Sequence, residues 1–370
     1  MLNRTIFAAL LAVLALAASA GSAFAAGHSG AVVFSKVTIK AGTEGKAASE
    51  GKPATEAKPA TEEGGLFAVR DGHLNQLTTD PTDSQPAFSP DGTSIAFVRD
   101  GDIFSVRADG SGQRQLTNGA DLDSAPLVSP NGKVVVFERR SAAGAPADLY
   151  TVGVFGGGQR ALTSTPDDEH QAAFSADGRS IVFVRSTAET GGGASDDLFS
   201  IKPSGAGLTR LTRTARFDEF KPRFFAGGIL YSRGESGEGP SAYADVYTMR
   251  SNGTKVHSLV AGAGSAYVED VAPNGKTVLF RRDRGLWVKP TGAGRARKLT
   301  ELPDGSTTNA VFSSDGLQVA AFIAAGTEES LSSINVASGS SSDLAEGIDF
   351  SEGESGTTIG PVISWQPVRH

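Results

Sequence analysis

Gln85-Pro-Ala-Phe-Ser-Pro-Asp-Gly-Thr-Ser-Ile-Ala-Phe-Val-Arg99, followed by Asp102-Ile-Phe-Ser-Val-Arg-Ala-Asp-Gly-Ser-Gly-Gln-Arg-Gln-Leu-Thr117, decides the fold. Pro90-Asp91-Gly92 is a tight hairpin turn, because proline presets φ and glycine accepts a positive φ without strain. Ile95 and Phe97 alternate with Ala96 and Val98, the period of a strand. Ala108-Asp109-Gly110 then turns a third strand, Ile103 to Arg107, into a fourth, Gln113 to Thr117. The unit is four short strands, and no segment of the chain carries a helical apolar stripe of useful length.

The turn glycine recurs at Gly92, Gly132, Gly178, Gly228, Gly275 and Gly316, at spacings of 40, 46, 50, 47 and 41. Four-stranded repeats of about 40–45 residues are the blades of a β-propeller. Whole blades run over 85–117, 124–163, 170–212, 220–260, 267–300 and 309–346. The two chain ends supply one more. Residues 361–367, Pro-Val-Ile-Ser-Trp-Gln-Pro, match the first strand, with Trp365 in the place of Phe88. Residues 31–36 match the second strand, and Leu66 to Arg70 and Leu74 to Thr78 match the third and fourth. The expectation is an all-β propeller of seven four-stranded blades, closed by pairing N- and C-terminal strands so that no sheet edge is exposed. A six-bladed ring with loosely attached ends is the alternative. Residues 41–65 of the closing blade form a Lys/Glu/Ala/Pro/Thr tract, which cannot bury a core and is expected to be a disordered loop.

Asn3 and Arg4, an apolar run from Ile6 to Ala17, and Ala23-Phe24-Ala25 read as a secretory signal peptide over 1–25. Its apolar run is shorter than the about 20 residues a membrane span needs. A single propeller domain over 26–370 is therefore expected to be exported, to periplasm, cell wall or medium, as a monomer without a transmembrane anchor. The chain has no cysteine, which excludes disulfides and thiol chemistry. Removing the signal leaves 33 basic against 41 acidic side chains, a balance unsuited to nucleic acid.

The phrase Phe88-Ser-Pro-Asp-Gly92 returns as Phe174-Ser-Ala-Asp-Gly178 and Phe312-Ser-Ser-Asp-Gly316, and as Val128-Ser-Pro-Asn-Gly132. Leu-Thr closes the fourth strand at 77–78, 116–117, 162–163, 211–212 and 299–300. With these motifs the chain resembles the TolB-like propellers, whose repeats are also described as PD40 or WD40-like, over nearly all of its mature length. The resemblance implies the fold more than a function, because the shared residues make turns and core. TolB itself has an α/β domain before a six-bladed ring, whereas here a blade strand follows the signal peptide almost at once. That departure tells against a role in the Tol envelope system. The Gly-His and Trp-Asp marks of WD40 repeats are absent, as is the Asp box of sialidases.

In such a blade the 1–2 and 3–4 turns share one face of the disc, and the 2–3 loops and 4–1 crossovers share the other. Insertions gather in the 2–3 loops at 41–64, 140–147, 186–196 and 234–244. Variable loops on one face of a repeat scaffold mark a binding face, or are simply tolerated Gly/Ser segments. The same face carries a repeated charge pair. Acids precede the first strand at Asp83, Asp123, Glu169 and Glu219, and bases end the second at Lys36, Arg99, Arg139, Arg185, Arg233 and Arg282. The spacing predicts cross-strand pairs Asp83–Arg99, Asp123–Arg139, Glu169–Arg185 and Glu219–Arg233. They form either a structural ladder or a polar ring that binds a charged ligand.

Catalytic signatures are missing. The five histidines show no metal-ligand spacing, and there is no nucleophile elbow, phosphate loop or EF-hand pattern, so no cofactor or metal is expected. Trp287 takes the place of the third-strand aromatic and is expected in the core. A propeller can still assemble a site from single residues of several blades, and His170, Arg216, Asp218, Tyr243, Tyr267, Glu269 and Asp270 are the non-repeated candidates. Two functions are open: a non-catalytic extracytoplasmic scaffold binding a protein or envelope partner through the 2–3 loop face, and a polysaccharide lyase or hydrolase with a site at the channel mouth.

Overall fold

The computed structural model describes residues 30–40, 61–70, 73–188, 194–214, 216–235, 243–262, 264–325, 328–344 and 357–365. They form seven four-stranded antiparallel sheets. Blade 1 consists of Ser84–Phe88, Ser94–Arg99, Asp102–Arg107 and Arg114–Gln115. Blade 2 holds Leu122–Val128, Val134–Arg140, Ala147–Gly153 and Arg160–Ala161, and blade 3 Asp168–Phe174, Ile181–Ala188, Ala194–Ile201 and Thr209–Arg210. Blade 4 holds Phe217–Phe225, Gly228–Glu235, Ala244–Met249 and His257–Val260. Blade 5 holds Ala266–Val271, Thr277–Arg282, Gly285–Pro290 and Arg297–Glu301, and blade 6 Thr307–Phe312, Gln318–Ala325, Glu328–Asn335 and Ser341–Asp343. Blade 7 joins Thr357–Trp365 to Val32–Lys40, Thr61–Arg70 and His73–Gln76. Val32 pairs with Trp365 and Phe34 with Ile363, so the two chain ends close the seven-bladed ring.

Each blade is too thin to hold a core of its own, and the apolar side chains are buried between blades. Val33 and Leu66 of blade 7 pack with Ile95 and Phe97 of blade 1, and one such cluster sits at each of the seven interfaces. Aromatic pairs across the second and third strands fill these layers, as in Phe97–Phe104 and Phe183–Phe199. Trp287 stacks on Phe280 and is half-buried, packed against the core rather than within it.

The repeated Ser-x-Asp-Gly phrase is a turn whose side chains bond its own backbone. Asp91 accepts from the Ser89 hydroxyl at 2.7 Å and from the Thr93 amide at 3.1 Å, while Ser89 Oγ accepts the Ser94 amide. Gly92, Gly132, Gly178, Gly275 and Gly316 all sit at φ between 66 and 71°, where a side chain is strained. Gly228 departs from this expectation: the blade 4 hairpin is shorter, Phe225 pairs with Gly228, and its φ is 145°. A second difference lies in blade 7. Lys36 to Lys40 pair with Gly65 to Thr61, so residues 61–65 belong to a strand rather than to the loop expected over 41–65. The rest of that tract and residues 1–25, expected to be a signal peptide, lie outside the described residues.

First strands of neighbouring blades contact one another around the ring, so they are the innermost. In blades 1 to 4 the first strand carries a bulge with one residue in the left-handed region: Gln85, Ala125, Gln171 and Lys221, at φ of 51 to 56°. The freed amides bond to the preceding blade. Ala125 N donates to Gln85 Oε1 (2.6 Å), Gln171 N to Glu138 Oε1 (2.9 Å) and Lys221 N to Gln171 Oε1 (2.5 Å). The ring continues through Val268 N to Ser232 Oγ, Phe312 N to Asp270 Oδ2, Ile363 N to Asn309 Oδ1 and Phe88 N to Ser364 Oγ. A side chain of one blade thus caps a first-strand amide of the next at every interface, the closing one included.

Candidate functional site

Each predicted charge pair forms. Arg99 Nε lies 2.6 Å from Asp83, Arg139 Nε 2.6 Å from Asp123, Arg185 Nε 2.7 Å from Glu169 and Arg233 Nε 2.8 Å from Glu219. The four carboxylates are wholly buried. Each guanidinium also lies over the aromatic pair of its own blade: Arg99 on Phe97 and Phe104, Arg139 on Phe137 and Tyr150, Arg185 on Phe183 and Phe199, Arg233 on Tyr231 and Tyr247. The Leu-Thr phrase completes the arrangement. Thr78 Oγ1 accepts the amide of Leu66 at 2.8 Å and donates to Asp83, and Thr163 Oγ1 likewise links the Leu149 amide to Glu169. Asp83 and Glu169 are therefore clamped between the threonine after the outer strand of the preceding blade and the arginine of their own, whereas Thr117 donates to Asp102 and Thr212 to Asp197.

Burial pushes the carboxyls of Asp83 and Glu219 up, against the pull of their hydrogen-bond partners, and takes Glu169 to about 7. The hydrogen bond to Asp83 in turn raises Arg99, and that to Asp123 raises Arg139. With their polar atoms facing one another and an aromatic pair beneath, these groups act as staples of the fold. Among the described residues the buried acid–arginine pair is seen in blades 1 to 4. Ala266 occupies the acid's place in blade 5, where Arg282 donates to the Ala261 carbonyl, and Lys36 of blade 7 lies over Phe67.

The non-repeated candidates separate into two groups. His170 Nδ1 is 3.6 Å from Asp168, but Asp168 is engaged by Arg140 (3.1 Å) and the Ala147 amide (2.7 Å). Asp218 accepts the Asp196 amide at 3.1 Å, so Asp168 and Asp218 both anchor the third strand of the blade before them. Arg216 and Tyr243 are exposed. Among the described residues, no group of three His, Cys, Asp or Glu is placed to hold a metal ion.

In the second group Glu269 and Asp270 are buried and Tyr267 is half-buried. Tyr267 lies between the Phe220 ring and the Arg281 guanidinium, and Glu269 meets Lys221 Nζ at 3.2 Å. Asp270 accepts the Phe312 amide, and burial pushes its carboxyl up to about 6. Lys221 and Arg223 were not among the sequence candidates. Aligning the repeats would have exposed them: Gln85 and Gln171 stand in the column of Lys221, and Ala87, Leu127 and Ala173 in that of Arg223.

Asp270 gives a test by pH. Its folded-state pKa lies above the unfolded value, so the folded chain holds a proton between about pH 4 and 6 that the unfolded chain releases. The contribution of this group to stability is greatest below pH 4 and is lost as pH rises through 6. Asp270→Asn keeps an acceptor for the Phe312 amide without the charge. Its stability relative to wild type should therefore improve from pH 4 to pH 7 by on the order of 2 kcal/mol. Melting curves whose difference does not change over that range would refute the assignment.

The longest 2–3 connections, between Lys40 and Thr61, Arg140 and Ala147, Ala188 and Ala194, and Glu235 and Ala244, leave the ring at the end of the blades that carries the staples. Blades 1 and 5 turn there in two residues, after Arg99 and after Arg282. Most of the long loops lie outside the described residues, but 141–146 is described and is largely exposed.

Residues 79–238 match the family described as the TolB beta propeller domain, PD40. The Tol-Pal system protein TolB of Gluconobacter oxydans is 44% identical over 64 residues, which are 16% of this chain and 14% of that protein. Among solved structures, TolB from Acinetobacter baumannii superposes with a TM-score of 0.51 at 13% identity, covering 83% of this chain and 79% of that one. An oligogalacturonate lyase from Vibrio parahaemolyticus superposes with a TM-score of 0.59 at 11% identity, covering 74% and 85%. At these identities the structural matches speak for the fold alone.

Proposed function

From the premise that the chain carries a TolB-type β-propeller domain, we propose that it is a non-catalytic scaffold, exported from the cytoplasm, that binds a protein or cell-envelope partner through the face bearing the 2–3 loops. The observation that carries this reading is the uneven distribution of loop length. The 1–2 turns, such as 89–93, 129–133 and 313–317, are short and nearly uniform, while the 2–3 connections run from two residues to the tract between Lys40 and Thr61. A rigid ring with short turns on one side and long ones on the other presents the long side. The staples of blades 2, 3 and 4 support the reading as well: they hold the ends from which the connections after Arg140, Ala188 and Glu235 leave, so those loops spring from fixed positions. Export rests on the residue pattern of 1–25, and a matched relative is named for the Tol-Pal system.

Capture from envelope extracts tests the proposal. Mature protein should retain a partner that is lost, or weakened about tenfold, when 189–193 and 236–242 are cut to two-residue turns like that of blade 1. Equal capture by both proteins would exclude this face.

A further inference from the structure

Two neighbouring blades break the repeat at a buried position. In the column of Ala87 the other blades place Leu127, Ala173, Val311 and Ser364, but blade 4 has Arg223 and blade 5 Asp270. In the column of Gln85, blade 4 has Lys221, and Glu269 of blade 5 reaches back to it. Five blades pack without charge at the Ala87 column, so closing the ring does not demand it. A buried charge costs several kcal/mol unless fully partnered.

Arg223 is not fully partnered. It is 6% exposed, its Nη1 donates to the Pro222 carbonyl at 2.9 Å, and its Nε is buried with no hydrogen-bond partner. The nearby acids are occupied, Glu269 by Lys221 and Asp270 by the Phe312 amide. Lys221, Arg223 and Arg281 stand against Glu269 and Asp270, an excess of one positive charge. Lys221 is paired with Glu269, and Arg281 lies over Tyr267 and bonds the Ser306 carbonyl; of the two arginines, only Arg223 has a buried nitrogen without a hydrogen-bond partner.

We propose that the inner wall between blades 4 and 5 is a binding site for a small carboxylate-bearing anion, held by Arg223 and Lys221. The planar guanidinium donates in a fork that matches a carboxylate, and the ammonium adds a point charge beside it. Both residues lie on one strand, Phe217–Phe225, the innermost of blade 4, and neither belongs to a 2–3 connection, so the site is separate from the loops.

Calorimetric titration of the mature chain at constant ionic strength with acetate, succinate and glucuronate tests this, with chloride and inorganic phosphate as controls. The expected result is saturable binding of at least one carboxylate at about 1 mM or tighter, and weaker binding of both controls. Two variants borrow residues from other blades. Arg223→Leu with Asp270→Ser copies Leu127 and Ser364, and Ser364 already caps the equivalent amide, Phe88 N. Lys221→Gln copies Gln171. Each should weaken carboxylate binding at least about tenfold, and if the double variant fails to fold, Lys221→Gln decides alone. No saturable carboxylate binding by wild type, phosphate bound as tightly, or unchanged affinity in the folded variants would overturn the proposal.

Discussion

Removal of residues 357–370 is expected to open the ring and to cost about 5 kcal/mol or more. Ile363 is fully buried, and losing one such side chain costs ~2–5 kcal/mol. The deletion also uncovers Val32, Val33 and Phe34, all wholly buried, at about 1.5–3 kcal/mol for each one fully exposed. It leaves the inner edge of Val32–Lys40 unpaired, and it removes the Ser364 hydroxyl that caps Phe88 N at the interface with blade 1. The consequence should be local first. Blades 6 and 1 lose the neighbour between them, so protease cleavage should begin near residues 31–36 before the remaining blades yield. Thermal melting and limited proteolysis measure both effects. A truncated chain that melts and resists protease as the full chain does would show that the closing strand is ornamental.

Asp83→Ala is the second large effect, expected at about 3–5 kcal/mol, the cost of leaving one member of a buried ion pair without the other. Asp83 has no exposed side-chain surface, and it accepts from Arg99 Nε at 2.6 Å and Nη2 at 2.8 Å and from Thr78. Without it Arg99 is left largely buried over Phe97 and Phe104, with the neutral Gln113 Oε1 at 3.2 Å and the more exposed Asp80 3.4 Å away. Adding Arg99→Met should recover at least half of the loss, since an apolar side chain tolerates that place where an unpaired cation does not. Urea unfolding of the two variants gives the comparison. A single variant as stable as wild type, or a double variant worse than the single, would remove the staple from the account of stability.

These two effects show why part of the molecule was legible and part was not. The Asp83–Arg99 pair could be read because both residues belong to one hairpin, and an offset of 16 residues fixes which side chains face each other across it. Blade 4 kept the pair at an offset of 14 because its turn is two residues shorter. Ring closure could be read because 361–367 and 31–36 each match a different strand of the same repeat. The aromatic bed beneath each arginine followed from no offset, since it depends on how a side chain lies across two strands. The bulge at Gln85, Ala125, Gln171 and Lys221 was not legible either. None of these four is glycine, and the left-handed backbone is held by contacts with the neighbouring blade.

The sequence by itself determined the four-stranded blade, most of its turns and the pairs within a hairpin, because these depend on local periodicity and on φ preferences of single residues; it left six and seven blades open. Only the tertiary structure decided which side chain of one blade caps which amide of the next. It alone set Lys221 against Glu269, 48 residues away, and left the Arg223 Nε without a partner. Those contacts arise at interfaces between sheets, where distance along the chain carries no information about distance in space.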